Sequence, residues 1–591
     1  IEPLNPSVGV LVDGVDLSNA ATAVTLFDIE QIEVFRGPQG TRYGANALAG
    51  LINIRTRAPS AVPEAEIGFD AANYDTATAF GALSGPIAES LNGRVAFQHH
   101  QSDGFIDNVY YGVENTNERD ETSVRGKLRW QPGDDLEMDF MVGLVDVDNG
   151  YDAFSLDNDR NTRSDEPGRD AQDTRLASIH ARWSQFDRVS LEATVGFTDS
   201  DSVYGYDEDW TFAGFHPIGY SSTDYYLRNR NTLTTEIRAR SGDASRLLGG
   251  RAAWAIGVYA LNAGEDLERD YTFAAERFSS RFDMHRTAAF AQLDIDLSAA
   301  TRLSAGLRFE EHESDYFDSA GVGFNPTDHL NGWRIGLDRT VGRSMMAYAL
   351  LAGGYKAGGF NTNGSLAPEL RTFDPEESRN FEIGLKGDFL NGRLQLRLAL
   401  FDMDRDEIQI EQSIVVMRSD GSSEFIEYID NGVSGNNSGL ESELVFQPGE
   451  SWRLHATFGL LRTEFDSYVN PGGDDLSGRD QPHAPEYQYA VSVLRYFDRN
   501  SYFELGIEGR DSFFYSSSHN ARSNGYTSFN AALGFEFEDW SLRVWGRNLT
   551  DEDIHTRGYF FGNDPRIGYA PQAYTQLAEP RRVGLGFTRR F

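Results

Sequence analysis

The chain has 591 residues, and its 53 basic and 91 acidic residues give a formal net charge of −38. This acidic balance argues against a nucleic-acid surface, because such a surface carries a basic face. The chain has no cysteine, which excludes disulfide scaffolds, thiolate metal sites and cysteine nucleophiles.

The first informative element is the stretch "QIEVFRGPQGTRYGANALAGLINI", residues 31 to 54. No lysine follows its glycines as a P-loop requires, and their spacing does not fit the dinucleotide fingerprint G-x-G-x-x-G. We therefore expect no nucleotide site. The glycines are predicted to allow tight turns with positive φ, and the proline to fix φ in one turn; these residues are Gly37, Pro38, Gly40, Gly44 and Gly50.

Downstream of residue 60, apolar and polar residues alternate in short segments joined by polar turns. In "GRLQLRLALFD", for example, Leu394, Leu396, Leu398 and Leu400 alternate with more polar neighbours. The same period of two recurs in residues 124–130, 191–197, 452–460 and 529–537, the last before a turn at Glu538 and Asp539. This alternation predicts strands with one apolar and one polar face.

These strands predict a transmembrane barrel with its apolar faces outward. A soluble barrel of this many strands would enclose more volume than side chains can fill, whereas an inverted barrel crosses a bilayer without any long apolar run. The roughly 530 residues from 64 to 591 allow about 24 residues for each of 22 strands with its connection, and 20 or 24 strands fit nearly as well.

Several motifs follow one another along the chain in a recognisable order. They are "VGVLVDGVDL" (8–17), "LFDIEQIEVFRGPQGTRYGANALAGLINIRTRAP" (26–59), "GYKAGGFN" (354–361), "FDPEESRNFEIGLKGDF" (373–389), "NGVSGNNSGLESEL" (431–444), "GRDQPHAPEY" (478–487) and "WGRNLTDED" (545–553). Together they resemble TonB-dependent outer-membrane receptors of the iron-complex branch. The terminal Phe591 resembles the assembly signal of outer-membrane barrels.

The resemblance implies an all-β fold, a 22-stranded antiparallel transmembrane β-barrel with a small α/β plug domain in the lumen. Residues 1–60 are expected to form the C-terminal part of the plug and residues 64–591 the barrel. The TonB box and the first part of the plug do not occur in this sequence, so energy coupling is inferred from the resemblance.

The resemblance also implies a function, TonB-dependent active transport of a scarce solute across the outer membrane of a Gram-negative bacterium. A ferric siderophore is the leading candidate; a vitamin, glycan or aromatic compound is the alternative, and a passive porin or surface adhesin is an alternative of another class. The implied partners are TonB with its inner-membrane energising complex, outer-membrane lipids and lipopolysaccharide, with a surface lipoprotein as a further candidate.

No enzyme activity is expected, because the motifs of zinc proteases, serine hydrolases and kinases do not occur. Accordingly, no catalytic residue, resident cofactor or metal site is predicted. Asp157, Asp159 and Asn161 have the first spacings of an EF-hand, but Thr162 stands where glycine is needed and Gly168 where the bidentate Glu belongs. A looser calcium site in this acidic loop remains an alternative.

Arg36 is the residue that the resemblance singles out for mechanism. An arginine buried in a lumen needs carboxylate partners to offset its desolvation, and the family motifs supply Glu382 and Glu441. By resemblance these residues form a lock between plug and barrel wall that loosens during transport. The alternative is a constant structural pair.

Ligand contacts are expected from three outward loops, residues 151–175, 204–227 and 555–576. Their arginines are candidates to hold an anionic iron chelate and their aromatic rings to pack against it; these residues are Arg160, Arg163, Tyr206, Trp210, Arg557, Tyr559 and Phe560. The alternative is that they are solvated loop residues and aromatic girdle residues at the membrane interface.

Overall fold

A computed structural model describes residues 5–20, 24–186, 188–362, 366–418, 423–431, 433–470 and 472–591. Its main feature is a closed antiparallel barrel of 22 strands, which confirms the predicted strand number. The strands are Glu64–Ala72, Thr76–Ala88, Leu91–Ser102, Arg119–Trp130, Leu136–Tyr151, Gly168–Phe186, Val189–Asp207, Thr223–Ser241, Ala252–Tyr271, Phe278–Ser298, Thr301–Asp318, Thr327–Val341, Met345–Lys356, Glu376–Phe389, Leu394–Asp406, Gly435–Gly449, Trp452–Phe465, Tyr487–Tyr496, Ser501–Arg510, Tyr526–Glu536, Trp540–Arg547 and Arg582–Arg590.

The barrel closes between its first and last strands. Arg582–Arg590 pairs antiparallel with Glu64–Ala72, and the terminal Phe591 continues the ladder, its N–H donating to the carbonyl of Ala65 at 2.9 Å. A closed barrel leaves no sheet edge with unpaired backbone groups, as a bilayer requires.

The outer face of the barrel is apolar, as the period of two predicts. Large apolar side chains at every second position are exposed, among them Phe309, Leu307, Ile335, Phe381 and Leu585. Their neighbours along each strand point into the lumen, where Arg308 and Glu310 are buried. The inverted arrangement is therefore confirmed.

The two ends of the barrel differ in their connections. At one end the strands join through short turns, such as residues 299–300 and 450–451, and at the other through long segments such as 407–434 and 548–581. Short turns are periplasmic and long loops extracellular in barrels of this kind. We call these the periplasmic end and the outer end.

The barrel wall is much taller on one side than on the other. Phe278–Ser298 has 21 residues, whereas Trp540–Arg547 has 8. On the low side the outer loops carry two hairpins of their own, formed by Ile410–Met417 with Ser423–Asp430 and by His555–Phe561 with Gln572–Leu577.

The other outer elements are short. Asp107–Asn108 pairs with Asn161–Thr162, Gly359–Phe360 pairs with Thr372–Phe373, and Gly323–Phe324 extends the barrel sheet. No helix of the described residues is long and apolar enough to cross a membrane. The helical turns are Gly40–Tyr43, Gly44–Asn46, Asp243–Ser245, Leu247–Gly250, Pro368–Leu370 and Pro565–Ile567.

A four-stranded sheet with two short helical turns, Gly40–Tyr43 and Gly44–Asn46, lies inside the barrel. Its strands are ordered Val15–Asp16, Val8–Val12, Gly50–Thr56 and Ile29–Arg36, with the middle pair parallel. We call residues 5–56 the plug. Its apolar side packs against the barrel wall in one cluster that contains Val12, Val15, Leu17, Ile54, Met141, Val145, Val147 and Leu176.

Candidate functional site

Arg36 ends the plug strand Ile29–Arg36 and reaches the barrel wall. Its Nη1 lies 2.7 Å from Oε2 of Glu441. The Arg36 side chain is 55% exposed and that of Glu441 32% exposed, so the expectation of a buried arginine is wrong. The structure therefore contains the Arg36–Glu441 contact as a half-exposed ion pair, and its role as a lock stays a prediction.

The second predicted partner, Glu382, is engaged elsewhere. Its Oε1 accepts a hydrogen bond of 2.6 Å from the Tyr348 hydroxyl. Among the residues that the structure describes, no ion pair joins Glu382 to Arg36. Tyr348 and Glu382 lie on neighbouring strands, two residues out of direct register, so this contact belongs to the wall alone.

The glycines of the plug loop serve turns and close approaches. Gly37 and Gly44 have φ of +68° and +79°, a region that side chains rarely adopt. Gly50 lies close to the neighbouring plug strand Ile29–Arg36, because a Cβ there would lie 2.5 Å from the carbonyl oxygen of Phe35. Pro38 packs on the barrel at Gly354, where an added Cβ would lie 2.7 Å from its ring.

Gly44 faces a buried ion pair of the barrel wall that the sequence analysis missed. Arg308 Nη2 lies 2.7 Å from Glu310 Oε2, and both side chains are almost fully buried. A Cβ on Gly44 would lie 2.6 Å from that carboxylate. The only sequence signal was a pair of opposite charges two residues apart on an inward-facing strand side.

A second missed contact holds the plug near the periplasmic end. Arg94 donates from Nε and Nη2 to both carboxylate oxygens of Asp28, at 2.9 and 2.5 Å. The two side chains are only 4% and 3% exposed. Arg94 also bonds Glu64 at 2.6 Å, and Arg125 donates to the carbonyl of Phe27 at 2.7 Å.

A third contact uses one of the three lysines of the chain. Lys127 Nζ donates to the Thr56 carbonyl and hydroxyl at 3.1 and 2.9 Å and lies 3.2 Å from Asp13 Oδ2. The Thr56 N–H in turn donates to Asp13 at 3.0 Å. Asp13 and Thr56 belong to two plug segments, so Lys127 fastens both to the wall at one point.

The motif "GYKAGGFN" lies between the plug and the outer loops. Besides Gly354, which meets Pro38, its Ala357 packs with plug residue Ala45. The carbonyl of Gly358 accepts a hydrogen bond of 3.2 Å from plug residue Asn5. The preceding carbonyl, that of Ala357, accepts one of 2.8 Å from Gln409 in an outer loop.

Gln409 lines an outer cavity of about 230 Å³ on the low side of the barrel. The cavity lies between four outer connections, and its charged or ring-bearing lining includes Arg405, Glu411, Glu427, His483, His519, Arg557 and Tyr559. Burial and the nearby Arg479 lower the pKa of His519 to about 4. Burial, with Arg557 and Arg510 nearby, also lowers the pKa of His483, so both rings are neutral at neutral pH.

Of the predicted loop residues, Arg557 and Tyr559 line this cavity. The structure places Arg160 against Asp553 and Arg163 against Asp157, at 2.7 and 2.5 Å. Arg160 thus links two outer connections, whereas Arg163 forms an ion pair within its own connection.

The aromatic candidates have separate surroundings. Trp210 is buried in a cluster with Phe154, Leu156 and Tyr574, and the Tyr206 hydroxyl donates to Asp224 at 3.3 Å. The exposed ring of Phe560 lies 5.6 Å from His519. Trp210 therefore packs residues of three outer loops together, and its predicted contact with a ligand stays a prediction.

The acidic loop considered for calcium uses its carboxylates within the protein. Burial alone would raise the pKa of Asp157, but Arg566 and Arg163 hold that pKa below its ordinary value. Asp159 accepts hydrogen bonds from Asn161 and Ser155. Within the described ranges, no group of three or more acidic or histidine side chains is arranged to hold a metal ion.

Comparison with protein families defines the class of protein. Residues 68–549 match the model described as TonB dependent receptor-like, beta-barrel, and residues 3–51 match the TonB-dependent Receptor Plug Domain. The chain therefore belongs to the TonB-dependent receptor family of the Gram-negative outer membrane, a family of transport receptors that work with TonB.

Individual relatives are similar along most of the chain. The pesticin receptor of Yersinia pestis is 25% identical, covering 98% of this chain and 84% of the relative. The ferripyoverdine receptor of Pseudomonas aeruginosa is 20% identical over 77% of this chain and 58% of the relative. The vitamin B12 transporter BtuB of Vibrio vulnificus is 24% identical over 64% and 56%.

Solved structures share the fold. The ferric yersiniabactin uptake receptor FyuA from Yersinia pestis aligns with a TM-score of 0.85 at 21% identity, covering 99% of this chain and 89% of that one. The siderophore receptor PiuA from Acinetobacter baumannii aligns with a TM-score of 0.79 at 14% identity, covering 98% and 89%.

Proposed function

We propose that this receptor imports a ferric siderophore across the outer membrane, using energy delivered through TonB. The observation that carries the proposal is the continuous set of contacts from the outer cavity to the plug. Gln409 of the cavity and Asn5 of the plug bond to the adjacent carbonyls of Ala357 and Gly358. Only the segment Ala357–Gly358 thus separates a ligand in the cavity from the plug, which fills the barrel lumen.

The relatives support iron as the cargo. The ferripyoverdine receptor and the structurally similar yersiniabactin and PiuA receptors are named for siderophores or their iron complexes. On this proposal the iron chelate is the substrate, and we propose no resident cofactor or enzymatic step. TonB with its energising complex and the surrounding lipids and lipopolysaccharide are the proposed partners, and a surface lipoprotein stays a candidate.

Growth under iron starvation tests the proposal. The receptor is expressed in a Gram-negative host that lacks its own siderophore receptors, and a panel of purified ferric siderophores is supplied one at a time. We expect one member to restore growth and uptake of radioactive iron, and a matched host without TonB to show neither. Failure of every ferric chelate in the panel would contradict the proposal.

The similarity to BtuB favours a vitamin as the second candidate. Adding cobalamin to the binding panel separates the two, since a vitamin receptor should bind it and ignore the iron chelates. Planar-bilayer conductance addresses the passive porin, because the plugged barrel is expected to conduct few ions and a porin many.

A further inference from the structure

The outer hairpin formed by Ile410–Met417 and Ser423–Asp430 reaches from the low side of the barrel to the tall side. It is rooted between the barrel strands Leu394–Asp406 and Gly435–Gly449. Its far end contacts the end of Ala252–Tyr271, and five barrel strands lie between that strand and Leu394–Asp406. An arm of eight residues spans roughly 25 Å, so the hairpin is long enough to cross part of the outer mouth of the barrel.

The root of the hairpin is held by apolar packing. Ile408 and Val433, on either side of the hairpin, lie in one buried cluster with Phe465. Near the far end, by contrast, Val416 and Met417 are 42% and 72% exposed. Apolar packing therefore fixes the root and leaves the attachment of the far end to another kind of contact.

That contact is made by the guanidinium group of Arg418, which directly follows Met417. Its Cζ lies 4.2 Å from the ring centre of Phe273 and 5.6 Å from that of Tyr271. Nη2 lies 3.4 Å from Oε1 of Glu208 and also donates to the Tyr271 hydroxyl. Because a guanidinium group is planar and charged, it can stack on a ring and pair with a carboxylate at the same time.

The site that receives Arg418 is held together by contacts within the tall side itself. The ring of Phe273 lies edge to face with Tyr271 at 5.8 Å between ring centres, and is stacked with Tyr220 at 6.1 Å. The Tyr271 hydroxyl also donates to Glu208 at 3.3 Å. None of these contacts involves the hairpin, so the receiving site is built without it.

We infer that this hairpin is a strap across the outer mouth, closed at rest, and that Arg418 is its releasable clasp on the tall side. Cation–π contacts and ion pairs near the surface are individually weak, whereas opening the root would expose buried apolar area. The far end therefore opens first and the root acts as the hinge. A solute enters the mouth when the clasp opens, and this holds whatever the solute is.

Spin labels on the purified full chain test the inference without a ligand. The chain has no cysteine, so labelled pairs need no background substitution. One pair, V416C with A275C, joins the hairpin to the connection that carries Phe273. A reference pair, A275C with A320C, joins exposed positions of two neighbouring outer connections on the tall side. Double electron–electron resonance gives the distribution of distances for each pair.

We expect a narrow distribution for the hairpin pair when Arg418 is present. R418A should broaden it towards longer distances and raise the ratio of open to closed forms by about fivefold or more, the factor produced by a loss of about 1 kcal/mol. R418K keeps the charge beside Glu208 but lacks the planar group, so it should give an intermediate ratio. The reference pair should stay narrow in every variant.

R277A is the matched control. Arg277 lies on the same connection as Phe273 but pairs with Glu268 and Asp270, at 3.0 and 2.8 Å, so its loss should leave the hairpin pair unchanged. An unchanged distribution in R418A, or equal effects of R418A and R277A, would overturn the role of Arg418. A broad distribution with Arg418 in place would show an open hairpin at rest and overturn the strap.

Thiol labelling tests the consequence for entry. Ser516 lines the outer cavity beside the hairpin, and S516C is reacted with a bulky uncharged maleimide and with a small one for normalisation. R418A should speed the normalised reaction of the bulky reagent by about fivefold, because a larger fraction of the molecules is open. R277A should not change it. Equal rates in the two variants would contradict release of Arg418 as the step that admits a solute.

The proposed function and this inference fail separately. If R418A opens the hairpin but no ferric chelate restores growth, the proposed function alone is wrong. If a ferric siderophore restores growth while R418A changes neither the distances nor the labelling, the strap alone is wrong.

Discussion

The plug contacts the barrel wall through ion pairs in two regions. The paired side chains are buried in one region and exposed in the other. On the strands Leu91–Ser102 and Arg119–Trp130, Asp28 and Asp13 pair with Arg94 and Lys127 in nearly dry surroundings. On Gly435–Gly449, Arg36 pairs with Glu441 in a half-exposed position. We call these the buried contact region and the exposed contact region.

The difference bears on which side of the plug separates first. Breaking a buried pair by removing one partner costs about 3 to 5 kcal/mol, because the other charge stays in a low-dielectric site. An exposed pair contributes about 0 to 1 kcal/mol. A force on the plug is therefore expected to part the exposed contact region first, with the buried contact region acting as the fixed side.

The largest expected effect tests the fixed side. D28N leaves Arg94 buried without its bidentate partner, and we expect the plug to lose about 3 kcal/mol of local stability. Hydrogen exchange of the plug strands and bilayer conductance measure the loss. R57A is the matched control, because Arg57 lies 4.0 Å from the same carboxylate but is 52% exposed. Equal effects of the two variants would remove the distinction between the regions.

The contrast between buried and exposed carboxylates extends to the outer loops. Burial raises the pKa of Asp152 to about 6, and hydrogen bonds from Thr116 and the Gly168 N–H only partly oppose this. The folded loop therefore binds a proton more tightly than the unfolded one between about pH 4 and 6. Its stability is full below that window and falls by about 3 kcal/mol as the pH rises through it.

Hydrogen exchange of residues 152–167, corrected for intrinsic rates, checks this dependence. D152N mimics the protonated acid and should remove the slope, whereas E166Q, an exposed position in the same loop, should keep it. A slope that survives D152N would assign the pH dependence to another group.

The next prediction concerns Gly44, the plug residue that faces the buried Arg308–Glu310 pair. G44A forces a side chain into a positive-φ position and against the Arg308–Glu310 pair, which should cost about 1 to 3 kcal/mol. G40A is the control, since a Cβ there makes an ordinary contact of 3.5 Å with Tyr355. Thermal unfolding of the plug compares the two. A neutral G44A would show that the plug does not press on this pair.

The smallest stability effect concerns the exposed contact region. R36A and E441Q should each cost at most about 1 kcal/mol, and the double variant no more than either alone if the two side chains act only on each other. A lock should nevertheless change siderophore uptake or pore conductance. Unchanged uptake and unchanged conductance in R36A would leave the constant structural pair as the correct interpretation.

The barrel could be predicted from the sequence because each lipid-facing strand shows a local pattern, the alternation of apolar and polar residues. Leucines stand at every second position from Leu394 to Leu400, and this pattern does not depend on the rest of the chain. Dividing the chain length by the typical length of a strand with its connection then gives the number of strands. The contact between Arg36 and Glu441 was reached only through motif order, since the two residues are far apart in sequence. No periodicity marks which lumen residue meets which plug residue.

For the same reason the buried contact region was missed. Lys127 and Arg94 occupy polar, inward positions that look the same as solvated lumen residues in the alternating pattern. The rarity of lysine in this chain was the only signal at Lys127. The outer cavity depends on how four loops pack, and the ion pair of its Arg557 with Glu427 joins residues of two different loops, 130 positions apart.

The unequal height of the barrel wall makes the outer rim asymmetric. At about 3.3 Å per residue and a tilt near 40°, the tallest strand rises roughly 50 Å and the shortest roughly 20 Å. The tall side is a continuous hydrogen-bonded sheet that cannot part without breaking its ladder, whereas hairpins and loops form the low side. We therefore expect a solute to enter across the low rim, past the hairpin Ile410–Met417 with Ser423–Asp430, which borders the cavity.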